Sequence, residues 1–171
     1  LSLHDALPIW DIYADQQKGI LWLGTSQGLD RFDPKTGIFT HFRHDPENPH
    51  SLSSNEVYSI APAENSMLWI GTHGGGLNRF DPSRKRFARY KTGKNPQSIS
   101  SNIIHPLYYD RTGILWIGTW GGGISRIDPL NQNIRLYDEG SGLSSSSVFS
   151  LCEHTQGKVW IGTLGDRKSV V

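Results

Sequence analysis

The sequence holds little of what chemistry is usually built from. One cysteine, Cys152, stands among 171 residues, which excludes an internal disulfide. A lone cysteine is compatible with either the cytoplasm or the periplasm. Cys152 falls at the end of a strand-like stretch, where a small buried core residue is expected. Charge of one sign is also missing: 17 basic and 16 acidic residues leave a net charge of +1. The short run Arg84-Lys85-Arg86 reads as a solvated turn. Nucleic-acid recognition needs a broader basic face, so no nucleic-acid partner is expected. No apolar stripe recurs at helical spacing. No serine sits in a Gly-x-Ser-x-Gly elbow, and the serines of 144–147 have no nucleophile context. No catalytic residue, cofactor or metal site is therefore expected.

What is present is a repeat. Leu21-Trp22-Leu23-Gly24-Thr25 returns as Leu68-Trp69-Ile70-Gly71-Thr72, as Leu115-Trp116-Ile117-Gly118-Thr119 and as Val159-Trp160-Ile161-Gly162-Thr163. The tryptophans are 47, 47 and 44 residues apart. Flanking text repeats in register. Arg31-Phe32-Asp33-Pro34 matches Arg79-Phe80-Asp81-Pro82 and Arg126-Ile127-Asp128-Pro129. Ser51-Leu52-Ser53-Ser54-Asn55 matches Ser98-Ile99-Ser100-Ser101-Asn102, with Gly142-Leu143-Ser144-Ser145-Ser146 as a looser copy.

One period contains four short strand-like pieces, 57–60, 67–72, 77–80 and 87–90 in the second copy, separated by Gly, Asn, Pro and Asp. In the third piece Leu77 and Arg79 share one face, Asn78 and Phe80 the other. Four strands per repeat of roughly 40–50 residues is the blade pattern of a β-propeller. The expected fold class is all-β: a propeller fragment of four-stranded antiparallel blades, about three to three and a half of them, not closed. The glycines 74–76 and 121–123 join second and third strands. A phosphate cradle would lead into a helix, and here another strand comes next. Expected boundaries are 10–47 for a partial first blade, 48–94 and 95–139 for complete blades, and 140–165 for a partial fourth.

Residues 1–9 and 166–171 break the pattern. The first nine can be encoded by a nucleotide string whose reverse complement reads Asp166-Arg167-Lys168-Ser169-Val170-Val171 and then a stop. That string resembles a sequencing-library adapter. Both ends are expected to be translated adapter, so His4 and Asp5 are not recruited to any site.

Recurring residues serve the frame. Trp22, Trp69, Trp116 and Trp160 are expected to pack between blades, and Asp33, Asp81 and Asp128 to start turns. The remaining histidines are His41, His44, His50, His73, His105 and His154. His41, His44 and Asp45 lead out of a strand into a loop, and the equivalents one blade on are Arg89, Thr92 and Gly93. A solvated loop is expected there rather than a metal site. Positions that differ between copies can specialise. The residue after Gly-Thr is Ser26, His73, Trp120 or Leu164, on the same rim as the Ser-Leu-Ser-Ser-Asn loop. The ligand-contact candidates are therefore Trp120, His73 and Ser26, with Asn55 and Asn102 from the loop.

The phrases 68–72, 74–82 and 52–55 resemble the two-component regulator propeller repeat. Gln27-Gly28 departs from it where two other blades have three glycines, and Ser146 replaces the Asn. The resemblance implies part of a periplasmic or otherwise extracytoplasmic sensor propeller. The parent receptor would be anchored in the inner membrane, and its kinase and phosphorelay domains would lie elsewhere. It implies a small-molecule or oligosaccharide ligand, the parent propeller's other blades as partners, and no membrane contact by this segment. It supplies no catalytic residue, and neither His41 nor His73 is a phosphoacceptor. Two alternatives remain: a fragment of a propeller lyase, or a scaffold propeller for protein–protein assembly.

Overall fold

Alternating short apolar stretches, broken by glycine and Asx turns, fold here as a succession of antiparallel meanders. The computed structural model describes residues 8–95, 98–128, 133–153, 158–165 and 169–170. The first sheet is β1 (Ile9–Asp15), β2 (Ile20–Thr25), β3 (Gly28–Asp33) and β4 (Ile38–Phe42). The second is β5 (Val57–Pro62), β6 (Leu68–Thr72), β7 (Gly76–Asp81) and β8 (Arg86–Tyr90). The third is β9 (Ile104–Tyr109), β10 (Leu115–Thr119), β11 (Ile124–Ile127) and β12 (Ile134–Tyr137). The fourth is β13 (Val148–Glu153), β14 (Val159–Thr163) and β15 (Ser169–Val170). Strands pair in chain order within each sheet, and among the described residues no sheet closes on itself. The chain is an all-β, unclosed propeller piece.

The first repeat, read from sequence as partial, has all four strands. The backbone of Ser169 and Val170 pairs with Ile161 and Trp160 as the third strand of the last sheet. His154, Pro129, His4, Asp5 and the rest of 166–171 lie outside the described residues.

Two faces per blade make two interfaces. Leu68, Ile70 and Phe80 pack with Trp22 and Leu29 of the first blade. Trp69 and Leu77 turn the other way and pack with Ile104, Leu115 and Ile117 of the third. Trp116 and Ile124 then meet Val148, Val159 and Ile161 of the fourth. The period-2 alternation of a strand thus assigns each tryptophan to the next blade along. Arg79 lies over the Trp69 ring at 5.6 Å, and Arg126 over Trp116 at 5.7 Å. Each arginine sits directly across from its tryptophan on the neighbouring strand, a cross-strand cation–π pair.

The repeat's glycine is fixed by the same contact. A Cβ on Gly71 would lie 2.6 Å from Ile104 Cγ2, and one on Gly118 2.8 Å from Val148 Cγ1. The first strand of the next blade fits only against a bare backbone. The first strands β1, β5, β9 and β13 are accordingly neighbours and form the inner wall.

Cys152 is exposed, not buried as the sequence suggested. Its equivalent, Ala61, is buried between the second and third blades. The reason is the alternation: Leu151 packs toward the third blade, so Cys152 points to the opposite face. In earlier repeats the next blade covers that face.

Candidate functional site

The rim is built from two kinds of turn. Val57 pairs with Thr72 and Thr72 with Gly76. The loop leading into β5 and the β6–β7 hairpin therefore share one end of the blade. The repeat's threonine closes the hairpin: Thr72 Oγ1 donates to Gly76 O at 2.7 Å and Thr119 Oγ1 to Gly123 O at 2.9 Å. Gly74, Gly76, Gly121 and Gly123 all adopt φ between 72° and 79°, the left-handed region that glycine enters without steric cost.

The loop's polar side chains are engaged in holding it. The His44 amide donates to Asn55 Oδ1 at 2.7 Å, and the Thr92 amide to Asn102 Oδ1 at 2.9 Å. Asn102 Nδ2 also donates to Thr92 Oγ1 at 3.0 Å. Asn78, buried on β7, accepts from the Ser53 amide at 3.1 Å and donates to Ser53 Oγ at 2.8 Å. Asn55 and Asn102, proposed from sequence as ligand contacts, sit in the structure as loop braces.

The position after Gly-Thr has a fixed backbone. Its amide donates to the residue just before the first strand: His73 to Glu56 O at 2.9 Å, Trp120 to Ile103 O at 3.0 Å, and Leu164 to Ser147 O at 2.9 Å. The side chains are left to face the rim. Trp120 and Leu164 are exposed, and His73 Nδ1 stands 3.3 Å from Glu56 Oε2 at the surface. Ser26 is half-buried in the tighter hairpin of the first blade.

A feature that sequence reasoning missed lies beside them. Every first strand breaks register with its neighbour at its rim end. Trp10, Tyr58 and Phe149 are the unpaired extra residues of three such bulges, and His105-Pro106 oppose Gly118 in the third blade. Bulges re-aim side chains, and here all four re-aimed residues carry rings. Ring centroids are 4.2 Å apart for Trp10–Tyr58, 5.0 Å for Tyr58–His105 and 5.4 Å for His105–Phe149. Trp120 joins at 5.5 Å from His105 and 5.4 Å from Phe149. His73 meets Tyr58 edge-on at 5.5 Å. The four bulged rings line a cleft of about 480 Å³ on the inner wall, within the range of small-ligand sites. Aligning the copies at the second residue of the first strand would have found them. Trp10, Tyr58, His105 and Phe149 occupy that position.

The electrostatics of the row are mild. Burial, and then the nearby His73, hold the His105 imidazole below its usual pKa, so it is neutral at pH 7. Burial, and then the Glu56 carboxylate, push the Tyr58 phenol up, so it remains a donor. Elsewhere, His41 and His44 are committed. His41 Nδ1 is 3.0 Å from Asp30 Oδ1, which also accepts from Arg43 Nη1 at 2.7 Å. His44 Nδ1 is 2.7 Å from the Leu52 carbonyl. Asp45 Oδ1 accepts the Glu47 amide at 3.0 Å.

The repeated aspartates sit at turns. Asp33 Oδ1 accepts the Lys35 amide at 3.0 Å, and Asp81 Oδ1 the Ser83 amide at 2.9 Å. The Asp128 amide donates to Asn133 O at 3.3 Å. Trp22, Trp69 and Trp116 are buried at blade interfaces, and Trp160 is half-buried.

Known proteins share this frame. The extracellular domain of the hybrid two component system BT3049 from B. thetaiotaomicron is 23% identical, with a TM-score of 0.79 over 95% of this chain and 23% of that one. The extracellular domain of BT4673 from the same organism, described as a one component system, is 26% identical, with a TM-score of 0.80 over 99% and 24%. The WD40 propeller domain of Doa1 shares the fold at 11% identity, with a TM-score of 0.72 over 99% and 52%. The chain thus spans about a quarter of the two B. thetaiotaomicron domains. No curated protein matches it. No helix among the described residues is long and apolar enough to cross a membrane. The sequence model of the two component regulator propeller matches residues 51–74, 98–121 and 142–165. Each match runs from the lead-in loop through the first two strands to the rim hairpin, so the chain carries three copies of the two component regulator propeller repeat.

Proposed function

We propose that this chain is a segment of the extracytoplasmic, ligand-sensing propeller of a bacterial two-component receptor, that its ligand is a carbohydrate, and that the segment itself is non-catalytic. The observation that carries this reading is the row of rings at the bulges. The frame residues of the rim are engaged in hydrogen bonds, while Trp10, Trp120 and Phe149 remain exposed around a concave inner wall. Likeness to extracellular domains of such systems supports the location on the periplasmic side. The parent receptor would be held in the inner membrane.

A ligand bound across several blades alters output only if it binds one blade arrangement better than another. Its differential affinity would then bias a kinase carried elsewhere in the receptor. The test uses the complete receptor in membrane vesicles. Addition of a saccharide that binds the complete propeller should change autophosphorylation of the kinase. A receptor whose propeller binds no saccharide, and whose phosphorylation none alters, would refute the carbohydrate reading.

A further inference from the structure

We propose that the four bulged rings form a single binding site for an uncharged oligosaccharide, laid along the inner rim with one ring contact per blade. This rests on the carbohydrate reading above and adds to it the site, the charge class and a dependence on chain length.

Three observations carry it. The first is geometry. One bulge per blade places Trp10, Tyr58, His105 and Phe149 at equivalent positions, and neighbouring rings hold one another at 4.2–5.4 Å. Side chains ordered before binding lose little further freedom on binding. The cleft of about 480 Å³ suits a threaded small ligand rather than a folded partner.

The second is the chemistry of the rings. Trp10, Tyr58 and His105 each pair an apolar face with a polar edge. A pyranose has the same two-sided character, a C–H face edged by hydroxyls.

The third is charge. Among the described residues, no lysine or arginine lines the cleft. The one carboxylate among them, Asp11, is already engaged, accepting the Ile60 amide at 2.7 Å and the Ile12 amide at 2.8 Å. A sulfate, phosphate or uronate would find no guanidinium or ammonium to receive it. The site therefore selects neutral sugars.

The test is calorimetric titration of the complete propeller. The probes are cello-, xylo- and manno-oligosaccharides of two to six residues, alongside tetragalacturonate and sulfated chondroitin disaccharide. At least one neutral series should bind, and its affinity should rise with length. Tyr58→Ala and His105→Ala should each weaken binding about tenfold and flatten that length dependence, the size expected when one aromatic contact is lost. Tyr58→Phe and His105→Tyr keep a ring, so they should keep the length dependence, which separates ring contact from misfolding. Ile38→Ala, on the outer strand β4, should change nothing. Neutral binding that is indifferent to Tyr58→Ala and His105→Ala would overturn this site and leave the carbohydrate reading standing. Binding of the charged saccharides alone would overturn the charge class. Binding of none would overturn the carbohydrate reading itself, and this proposal with it.

Discussion

Asp110 shows how much one turn residue can organise. Its Oδ1 accepts the Thr112 amide at 2.9 Å, the Thr112 hydroxyl at 2.6 Å and the Ile114 amide at 3.0 Å. Its Oδ2 accepts from Trp116 Nε1 at 2.9 Å. Burial pushes the carboxyl up, but the donors from Thr112, Trp116 and Ile114 outweigh it, and the pKa is lowered. The second blade closes the same turn differently. The Ala63 amide donates to Met67 O at 2.9 Å, as the Asp110 amide does to Ile114 O at 2.9 Å. Alanine has no carboxylate to offer, and Trp69 Nε1 is left buried without a partner. A group whose folded pKa is depressed contributes stability above its unfolded pKa, near 3.9 for aspartate, and loses it as pH falls through the folded value. Asp110→Asn should therefore lower the melting temperature at pH 7. The gap to the unmodified chain should narrow as pH drops below about 4. A gap that stays constant from pH 7 to pH 3 would mean that the ionised form plays no part. The turn role of Asp33 and Asp81 was legible in the sequence because it recurs. The bracing role of Asn55 and Asn102 was not, because their partners are backbone amides 11 and 10 residues away.

At the level of elements, the strands were legible almost to the residue. The second repeat reads 57–60, 67–72, 77–80 and 87–90 from sequence, and the structure gives Val57–Pro62, Leu68–Thr72, Gly76–Asp81 and Arg86–Tyr90. Alternation and turn residues carry that information. A bulge does not show in either, because it is a property of two paired strands and not of one. The ring row was therefore hidden, although its four residues occupy one repeat position. Glycine is a second case in which one residue type serves two purposes. Gly121 has φ +79 and open space around it, whereas Gly71 has an ordinary φ and the Ile104 side chain where its Cβ would be. Gly121→Ala should cost about 1–2 kcal/mol from the left-handed backbone alone. Gly71→Ala should cost about 1–3 kcal/mol through overpacking of the blade interface. The two separate in a double mutant. Combined with Ile104→Ala, which removes the Cγ2 that would stand 2.6 Å from the new Cβ, the Gly71→Ala loss should shrink. The Gly121→Ala loss should be unchanged. Chemical denaturation of the three single and two double variants decides it, and equal behaviour of the two glycines would contradict the assignment.

At the scale of the whole molecule, blades are joined by faces. Each interface is closed by the tryptophan of one blade and the first two strands of the next. The repeat period marked where successive blades follow one another along the chain. It did not announce which faces are covered, since that depends on which neighbour packs there. Cys152 reports on this directly. It corresponds to Ala61, which is 3% exposed, yet Cys152 is itself exposed. Trp160 is likewise only half-buried, where Trp22, Trp69 and Trp116 are buried. A bare blade face of this kind leaves the fourth sheet less stable than its neighbours and prone to self-association. In this 171-residue chain, Cys152 should react with a thiol reagent at nearly the rate of an unfolded peptide. In a longer polypeptide carrying the next blade, docking against β13 should bury it as Ala61 is buried. Labelling would then require local opening and slow by orders of magnitude. Equally rapid labelling in both would mean that the next blade does not dock on β13 as the third docks on β5. The blade-by-blade packing rule would then stop at the fourth sheet.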